Sequence, residues 1–156
     1  MRFFSSKLIH RLFVALKIDI MEKLYTASVT VIGGRDGHAK SSDGIFETDL
    51  RKPKEMGGQG GAPNPEQLFA TAWGACYLGA LQSVADKDGV DATNANINIH
   101  ISFNKADKGF ALSADLDVHI PDISIEEAQS LADKANAVCP YSNATKGNIE
   151  ARVTAV

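Results

Sequence analysis

The chain contains two cysteines, and their different surroundings make them the first candidates for chemistry. Cys76 lies within an apolar stretch from Leu68 to Leu81, whereas Cys139 lies 63 positions later, directly before Pro140. A thiolate attacks electrophilic centres, and a second thiol can then close the product into a disulfide. The pair therefore favours thiol redox chemistry, with Cys76 as the attacking thiol and Cys139 as the resolving thiol.

A structural role for each cysteine is the alternative. A buried free cysteine packs as a small hydrophobe, and burial raises its pKa and so opposes thiolate formation. The predicted position of Cys76, about three turns into a helix, is too far from the helix start for the dipole to help. A reactive Cys76 therefore needs a separate cation. Cys139, in turn, could be a helix-end cysteine without a partner.

Arg35 is the leading candidate for that cation, because it stands in a turn between Gly34 and Gly37. An arginine stays protonated even when buried and offers a planar fork of donors. Glu66, in the first turn of a predicted helix, could orient Arg35 through a bidentate pair. The alternatives are a solvated turn arginine and an acid that only complements the helix dipole.

Composition narrows the class of protein. A length of 156 residues fits one domain, and 44% hydrophobic with 22% charged residues is ordinary for a globular chain. Residues 1–20 carry +3, which leaves −6 for the rest of a chain whose net charge is −3. The acidic body argues against a nucleic-acid partner. No apolar stretch reaches the length of a membrane span unbroken, so we predict a cytoplasmic protein with no membrane partner.

The histidines and cysteines do not form a metal-binding pattern. The four histidines lie far apart and none stands in a spacing typical of zinc ligands; they are His10, His38, His100 and His119. His100 and His119 fall on the polar side of alternating strands, which indicates solvent-facing residues. We predict no metal and no cofactor.

Residues 1–20 are predicted to form an N-terminal extension. We expect the folded domain to comprise residues 21–156. The extension is basic, but its apolar run is too short for a secretory signal. A translation start at Met21 in place of Met1 is the favoured explanation, and a weak targeting or surface helix is the alternative.

The remaining pattern predicts an α+β fold with antiparallel sheet. Asn64, Pro65 and Gln67 are typical of a helix start, and the helix should end near Asp88. Because it is apolar nearly all round, it should be buried in a core or a subunit interface. The predicted strands are 24–32, 38–41, 45–50, 97–103, 110–120 and 149–155, with a second helix at 125–138. The glycine-rich loop at 51–63 lacks the features of a phosphate-binding loop.

Several of these segments resemble the organic hydroperoxide resistance (Ohr) proteins of the OsmC/Ohr superfamily. The segments are Asn64–Ala70, Ala75–Cys76, Val138–Asn148 and the turn Gly33–Gly37. The likeness covers essentially 24–156, and the stretch VCPYSNAT is its most specific part. It implies an OsmC-like fold, with antiparallel sheets around two central helices in an intertwined homodimer.

The resemblance also implies roles. Cys76 would be the peroxidatic cysteine and Cys139 the resolving one, with Arg35 stabilising the thiolate and Glu66 orienting Arg35. The substrates would be alkyl or fatty-acid hydroperoxides, reduced to alcohols and recycled by a dithiol, notably a lipoyl group on a carrier protein. An apolar pocket would favour such substrates; the expected lining is Leu68, Phe69, Trp73, Tyr77 and Tyr141.

Helix geometry raises a difficulty for one self-contained site. Glu66 and Cys76 stand ten residues apart, hence ~15 Å along a straight helix and ~80° around it. Either the helix breaks near Gly74, or Arg35 and Glu66 of one chain meet the cysteines of another. Two rival functions also remain open, a thiol redox sensor and a non-catalytic module that binds an apolar ligand.

Overall fold

A computed structural model describes residues 22–156, so the expectations for residues 1–20 and for the start at Met1 or Met21 lie outside the described residues. The elements follow in the order β1 (Val29–Ile32), β2 (His38–Ser41), β3 (Glu47–Asp49), α1 (Pro65–Asp88), β4 (Asn96–Lys105), β5 (Phe110–His119), α2 (Ile125–Val138), α3 (Pro140–Thr145) and β6 (Glu150–Ala155). Short 3-10 turns occupy Gly34–Asp36 and Lys54–Met56. The mixed α+β class is as predicted.

The first sheet is a small antiparallel meander in the order β1-β2-β3. Its middle strand β2 has the predicted bounds, but β1 and β3 are shorter than the predicted 24–32 and 45–50. The missing ends have nothing to pack against in a single chain, since Leu24 is 85% and Ile45 88% exposed. The apolar residues that predicted longer strands are therefore not buried within one chain.

The second sheet has the order β4-β5-β6 and is mixed in direction. β4 and β5 form a ten-residue antiparallel hairpin, but β6 pairs with β5 in parallel. The prediction of purely antiparallel sheet is therefore wrong for β6. The chain leaves the end of β5 and returns through α2 and α3, and such a crossover brings the next strand back in the same direction.

Helix α1 begins and ends at the predicted residues because both ends carry strong local signals. The Asn64 Oδ1 accepts from the Gln67 N–H at 2.9 Å, and the Gln67 Oε1 accepts from the Asn64 N–H at 3.0 Å. Pro65 occupies the first helical position, where its missing N–H costs nothing. Gly89, with φ of 73°, ends the helix in the left-handed conformation.

One face of α1 forms the core, where it packs against β4 and α2. Its buried members include Trp73, Tyr77, Leu81, Val84 and Ala85. The opposite face, including Thr71, Ala75 and Gly79, is exposed in the single chain. We expected α1 to be buried on all sides, and in the single chain it is buried on one side. By length and composition alone α1 is also apolar enough to cross a membrane, but its buried face forms the core of this domain.

Helix α2 and helix α3 follow each other with one residue between them. The Ser124 Oγ accepts from the Glu127 N–H, which opens α2 at the predicted residue. Cys139 ends α2 and caps α3, and its carbonyl accepts from the Asn143 N–H at 3.0 Å. The sequence pattern predicts no helix after Pro140. A short helix forms because proline suits a first helical position as well as it ends a preceding helix.

Candidate active site

Arg35 is presented by the 3-10 turn between β1 and β2. Gly33 adopts φ of 72°, a conformation that side chains disfavour. A Cβ at Gly37 would overlap the carbonyl oxygen of Ile32, so this position also requires glycine. The two glycines fold the turn tightly enough to project Arg35 away from the sheet.

Arg35 forms a bidentate ion pair with Glu66 at the start of α1. The Nη1 atom donates to Oε2 at 2.9 Å and Nη2 donates to Oε1 at 2.7 Å. The Arg35 side chain is 34% exposed and that of Glu66 is 14% exposed. The guanidinium hydrogen bond keeps the pKa of Glu66 below its ordinary value, against the opposing effect of partial burial. Glu66 is therefore a carboxylate that fixes the guanidinium in one orientation.

The two cysteines meet at the junction of α1, α2 and α3. Their Sγ atoms lie 3.7 Å apart, although 63 positions separate them in the chain. Both are free thiols; Cys76 is half-buried, and Cys139 is completely buried. The structure already has the two sulfurs in contact, so no large movement is needed.

The surroundings of Cys76 oppose its ionisation. Burial raises the pKa of the thiol above its ordinary value, and the neighbouring Cys139 raises it further. The backbone N–H of Tyr141 acts in the opposite direction, because a donor stabilises the thiolate. The raised pKa of Cys76 means that a thiolate at neutral pH needs a cation from elsewhere.

Trp73 and Tyr77 are core residues that brace the cysteine junction. Both are 0% exposed, so they do not line an open pocket as expected from the sequence. The Trp73 Nε1–H donates to Ser142 Oγ at 3.0 Å, and the Tyr77 hydroxyl donates to the Ala132 carbonyl at 2.6 Å. Each aromatic thereby ties α1 to the helices that carry Cys139.

Three of the expected pocket residues remain accessible. Leu68 and Phe69 are half-buried near the start of α1, and Tyr141 is 38% exposed in α3. Phe69 stands seven residues before Cys76, which places both on one side of α1, about two turns apart. These residues supply accessible apolar surface on α1 and α3, the two helices that also pack beside the cysteines.

Arg35 and Cys76 of one chain form two separate groups. Among residues 22–156 no hydrogen bond joins Arg35 to Cys76. Helix α1 runs without interruption from Pro65 to Asp88, so the alternative of a break near Gly74 is wrong. A Cβ at Gly74 would stand 3.5 Å from the Ile99 Cδ1 atom, an ordinary van der Waals contact, so the packing does not require glycine at this position. The ~15 Å rise between Glu66 and Cys76 therefore holds.

Sequence reasoning missed two side chains that contact these groups. Ser142 is buried against Trp73, and the Phe103 ring lies 4.9 Å from the Arg35 Cζ. Alternation predicted Phe103 as a strand residue, but no local signal links it to Arg35. Such contacts depend on how distant elements pack.

Comparison with known proteins assigns the family. The model of the OsmC-like protein family matches residues 58–154, and the chain belongs to this family. The organic hydroperoxide resistance protein of Xanthomonas axonopodis pv. citri is 43% identical over 133 residues, covering 84% of this chain and 94% of the relative. OhrB of Bacillus subtilis is 41% identical over 133 residues, covering 83% and 96%.

Solved structures agree with this assignment. An organic hydroperoxide resistance protein from Legionella pneumophila has a TM-score of 0.81 at 39% identity, with 86% of this chain and 98% of that chain covered. The crystal structure of Bacillus subtilis OhrB has a TM-score of 0.77 at 38% identity, covering 86% and 100%. Within the OsmC-like family, the chain therefore belongs with the organic hydroperoxide resistance proteins, as the sequence motifs indicated.

Proposed function

We propose that this protein is a thiol-dependent peroxidase that reduces organic hydroperoxides to alcohols. The observation that carries the proposal is the 3.7 Å separation of the Cys76 and Cys139 Sγ atoms. Free thiols at this distance need only a side-chain movement to reach the disulfide bonding distance of about 2 Å. The relatives named organic hydroperoxide resistance proteins support the choice of substrate class.

The reaction proceeds in two thiol steps. The Cys76 thiolate attacks the distal oxygen of the hydroperoxide, the O–O bond breaks, and the alkoxide takes a proton and leaves as the alcohol. Cys76 becomes a sulfenic acid. The Cys139 thiolate then attacks the Cys76 sulfur, hydroxide leaves as water, and a disulfide forms. The two thiols supply both electrons, so the cycle needs no metal or other cofactor.

A dithiol restores the reduced enzyme by exchange with the disulfide. One of its sulfurs attacks and forms a mixed disulfide, and the other closes on it, so the reductant becomes a cyclic disulfide. A lipoyl group on a carrier protein is the reductant that the family resemblance implies. The cytoplasm suits this cycle, because its reducing conditions return cysteines to the thiol form.

Arg35 supplies the positive charge that Cys76 requires. A guanidinium beside a thiolate in a partly dry site acts at a low effective dielectric constant and offsets the cost of burial. Within one chain Arg35 is held by Glu66, ~15 Å along the unbroken α1 from Cys76. We therefore infer that each site combines Arg35 and Glu66 of one protomer with Cys76 and Cys139 of its partner.

Exposed apolar surface supports the homodimer that such sharing requires. On the first sheet Val31 is 54% and Ile32 64% exposed, although strand residues of this type are normally covered. One side of α1 also remains open in the single chain, at Thr71, Ala75 and Gly79. An intertwined dimer with the α1 helices packed at its centre would bury both surfaces.

Apolar residues near Cys76 favour substrates with an organic tail. Leu68, Phe69 and Tyr141 offer hydrocarbon surface on which an alkyl or fatty-acyl chain would lie. Hydrogen peroxide would gain nothing from this surface. We expect the catalytic efficiency to rise with the length of the substrate tail, by about 0.8 kcal/mol for each methylene that becomes buried.

Steady-state turnover tests the proposal against its rivals. Cumene hydroperoxide or a fatty-acid hydroperoxide is supplied with dihydrolipoamide, and peroxide consumption is followed over many equivalents of enzyme. A peroxidase consumes substrate continuously. A redox sensor or an apolar-ligand module stops after one equivalent or does not react, and either result overturns the proposed function.

A further inference from the structure

The Arg35 guanidinium contacts an aromatic ring in addition to the Glu66 carboxylate. Its Cζ atom lies 4.9 Å from the centroid of the Phe103 ring, within the range of a cation–π contact. Phe103 belongs to β4, whereas Glu66 belongs to α1. Arg35 is therefore held from two directions by elements that lie far apart in the sequence.

Phe103 is itself supported by a second ring. The Phe103 and Phe110 centroids lie 4.8 Å apart with 25° between the ring planes. Phe103 pairs with Leu112 and Phe110 pairs with Lys105, so the two rings are diagonal neighbours on one face of the hairpin. Phe110 is 68% exposed, and neither ring belongs to the buried core. Core packing therefore does not explain why a stacked pair stands beside Arg35.

The two contacts use different parts of the guanidinium. The Glu66 carboxylate takes one N–H from each of Nη1 and Nη2, which leaves the other N–H donors of the group free. A ring attracts the cation without taking a donor and without adding a full negative charge. A second carboxylate in the place of Phe103 would compete with a thiolate for the positive charge. An aromatic ring holds Arg35 and preserves its charge for the thiol.

The Glu66 contact orients the guanidinium but reaches only its two Nη atoms. The Arg35 side chain is 34% exposed, so solvent still reaches the rest of the group. The turn that carries Arg35 also gains little from the core, since its residues are not buried. The Phe103 ring adds a second contact at the guanidinium carbon, where the carboxylate makes none.

We infer that Phe103, supported by Phe110, is a positioning residue that holds Arg35 in the orientation required to stabilise the Cys76 thiolate. The inference rests on the proposed function, because it assigns Arg35 the role described above. Phe103 does not contact the reacting sulfur and acts only through Arg35.

The test compares ring-retaining and ring-deleting substitutions at Phe103. Phe103→Tyr and Phe103→Trp keep an aromatic face, whereas Phe103→Leu keeps apolar volume without it. The readout is the pH dependence of Cys76 alkylation by iodoacetamide in a Cys139→Ser background, where Cys76 is the one thiol. We expect Phe103→Leu to slow alkylation at neutral pH by about two- to tenfold, as the loss of a cation–π contact predicts, and Tyr and Trp to retain the rate.

A double substitution separates positioning from general packing. In an Arg35→Ala background Phe103→Leu should cause no further loss, because the residue through which it acts is gone. Equal pH profiles for Phe103→Leu and its Cys139→Ser parent overturn the inference, and so does an unchanged loss in the Arg35→Ala background. If Phe103→Leu does not fold, Phe103→Ile replaces it, since a β-branched residue suits a strand.

Turnover of cumene hydroperoxide by the same variants distinguishes the two claims. If the unsubstituted protein does not turn over, the proposed function fails, and the alkylation profiles still report on the contact between Phe103 and Arg35. If it turns over and Phe103→Leu matches it in both assays, only the positioning inference fails.

Discussion

The Trp73 Nε1–H donates to the Ser142 Oγ at 3.0 Å, and this buried hydrogen bond links residues 69 positions apart. Trp73 stands one turn before Cys76 on α1, and Ser142 stands one turn after Cys139 in α3. The bond therefore fixes the two helices at the level where their thiols meet. The two sulfur atoms lie 3.7 Å apart beside this brace, and we expect the brace to help hold them there.

Removing the acceptor should destabilise the protein. Ser142→Ala leaves the Trp73 N–H buried without a partner, and we expect the free energy of unfolding to fall by about 1–3 kcal/mol. Denaturant unfolding at a fixed protein concentration measures it, since a dimer's stability depends on concentration. Ser102→Ala, at an exposed strand position, is the control and should change stability by less than about 0.5 kcal/mol. Equal values for the two variants would contradict the role of the brace.

The elements that the sequence predicted well are those with local signals. The start of helix α1 could be predicted from Asn64 and Gln67, whose reciprocal hydrogen bonds lie within one turn. The parallel pairing of β6 could not be predicted, because it depends on the path of the chain through α2 and α3. The short helix α3 was missed because six residues give no periodicity.

In the candidate site, too, the residues with local sequence signals were predicted and the contacts between distant elements were not. Arg35 and Glu66 were singled out from a glycine turn and a helix start, and the structure joins them over 31 positions. The helix was expected to be buried, but an all-round apolar helix does not reveal which face meets the core, so Trp73 and Tyr77 were assigned to the pocket instead of the core. The Phe103 contact with Arg35 had no signal in the sequence, since it depends on how the turn that carries Arg35 meets β4.

Single cysteine substitutions should separate the two thiol steps. Cys76→Ser should consume no organic hydroperoxide, because the remaining thiol, Cys139, is completely buried. Cys139→Ser should react with one equivalent and stop at the Cys76 sulfenic acid, since no resolving thiol remains. Trapping with dimedone and mass spectrometry identifies that product, which the unsubstituted protein converts to a disulfide. Full activity of Cys76→Ser would refute the mechanism.

The reduced thiols should differ in their access to reagents. Cys139 is 0% exposed and Cys76 is half-buried, so brief iodoacetamide treatment should modify Cys76 at least about tenfold faster. Peptide mass spectrometry of the reduced protein gives both rates. In urea the two rates should become similar, which controls for reagent chemistry. Faster modification of Cys139 in the native protein would show that its burial is not maintained in solution.

The Arg35–Glu66 pair should contribute stability with a defined pH dependence. The guanidinium lowers the pKa of Glu66 in the folded state, so its contribution is present above the ordinary carboxyl pKa of 4.5 and is lost as the pH falls through the lowered value. Glu66→Gln should therefore be less stable than the unsubstituted protein at pH 7, and the two should converge in acid. Unfolding free energies between about pH 3 and pH 7 measure this.

A matched control for that pair exists on α2. Glu126 also lies in the first turn of a helix and is exposed, but none of the ion pairs in residues 22–156 involves it. Glu126→Gln should show no comparable pH-dependent loss. A difference between Glu66→Gln and the unsubstituted protein that stays constant down to pH 3 would mean that the charge of Glu66 is not what stabilises Arg35.

Mixed dimers test whether one site draws on two protomers. We expect a dimer of one Arg35→Ala chain and one Cys76→Ser chain to keep about half of the hydroperoxide turnover, because Arg35 of the second chain meets Cys76 of the first. Both parent homodimers should be inactive or strongly impaired. The heterodimer is isolated with two different affinity tags and assayed with dihydrolipoamide. Complete inactivity of this heterodimer would rule out a site shared between two protomers.

The reciprocal mixed dimer provides the control, because the two arrangements predict opposite results for it. One chain is unsubstituted and its partner carries both Arg35→Ala and Cys76→Ser. A shared site leaves each active centre with one missing group, so this dimer should be nearly inactive. A self-contained site would leave the unsubstituted chain intact and retain half of the turnover. Since α1 is unbroken from Pro65 to Asp88, Arg35 and Cys76 of one chain stay apart, and we expect the inactive outcome.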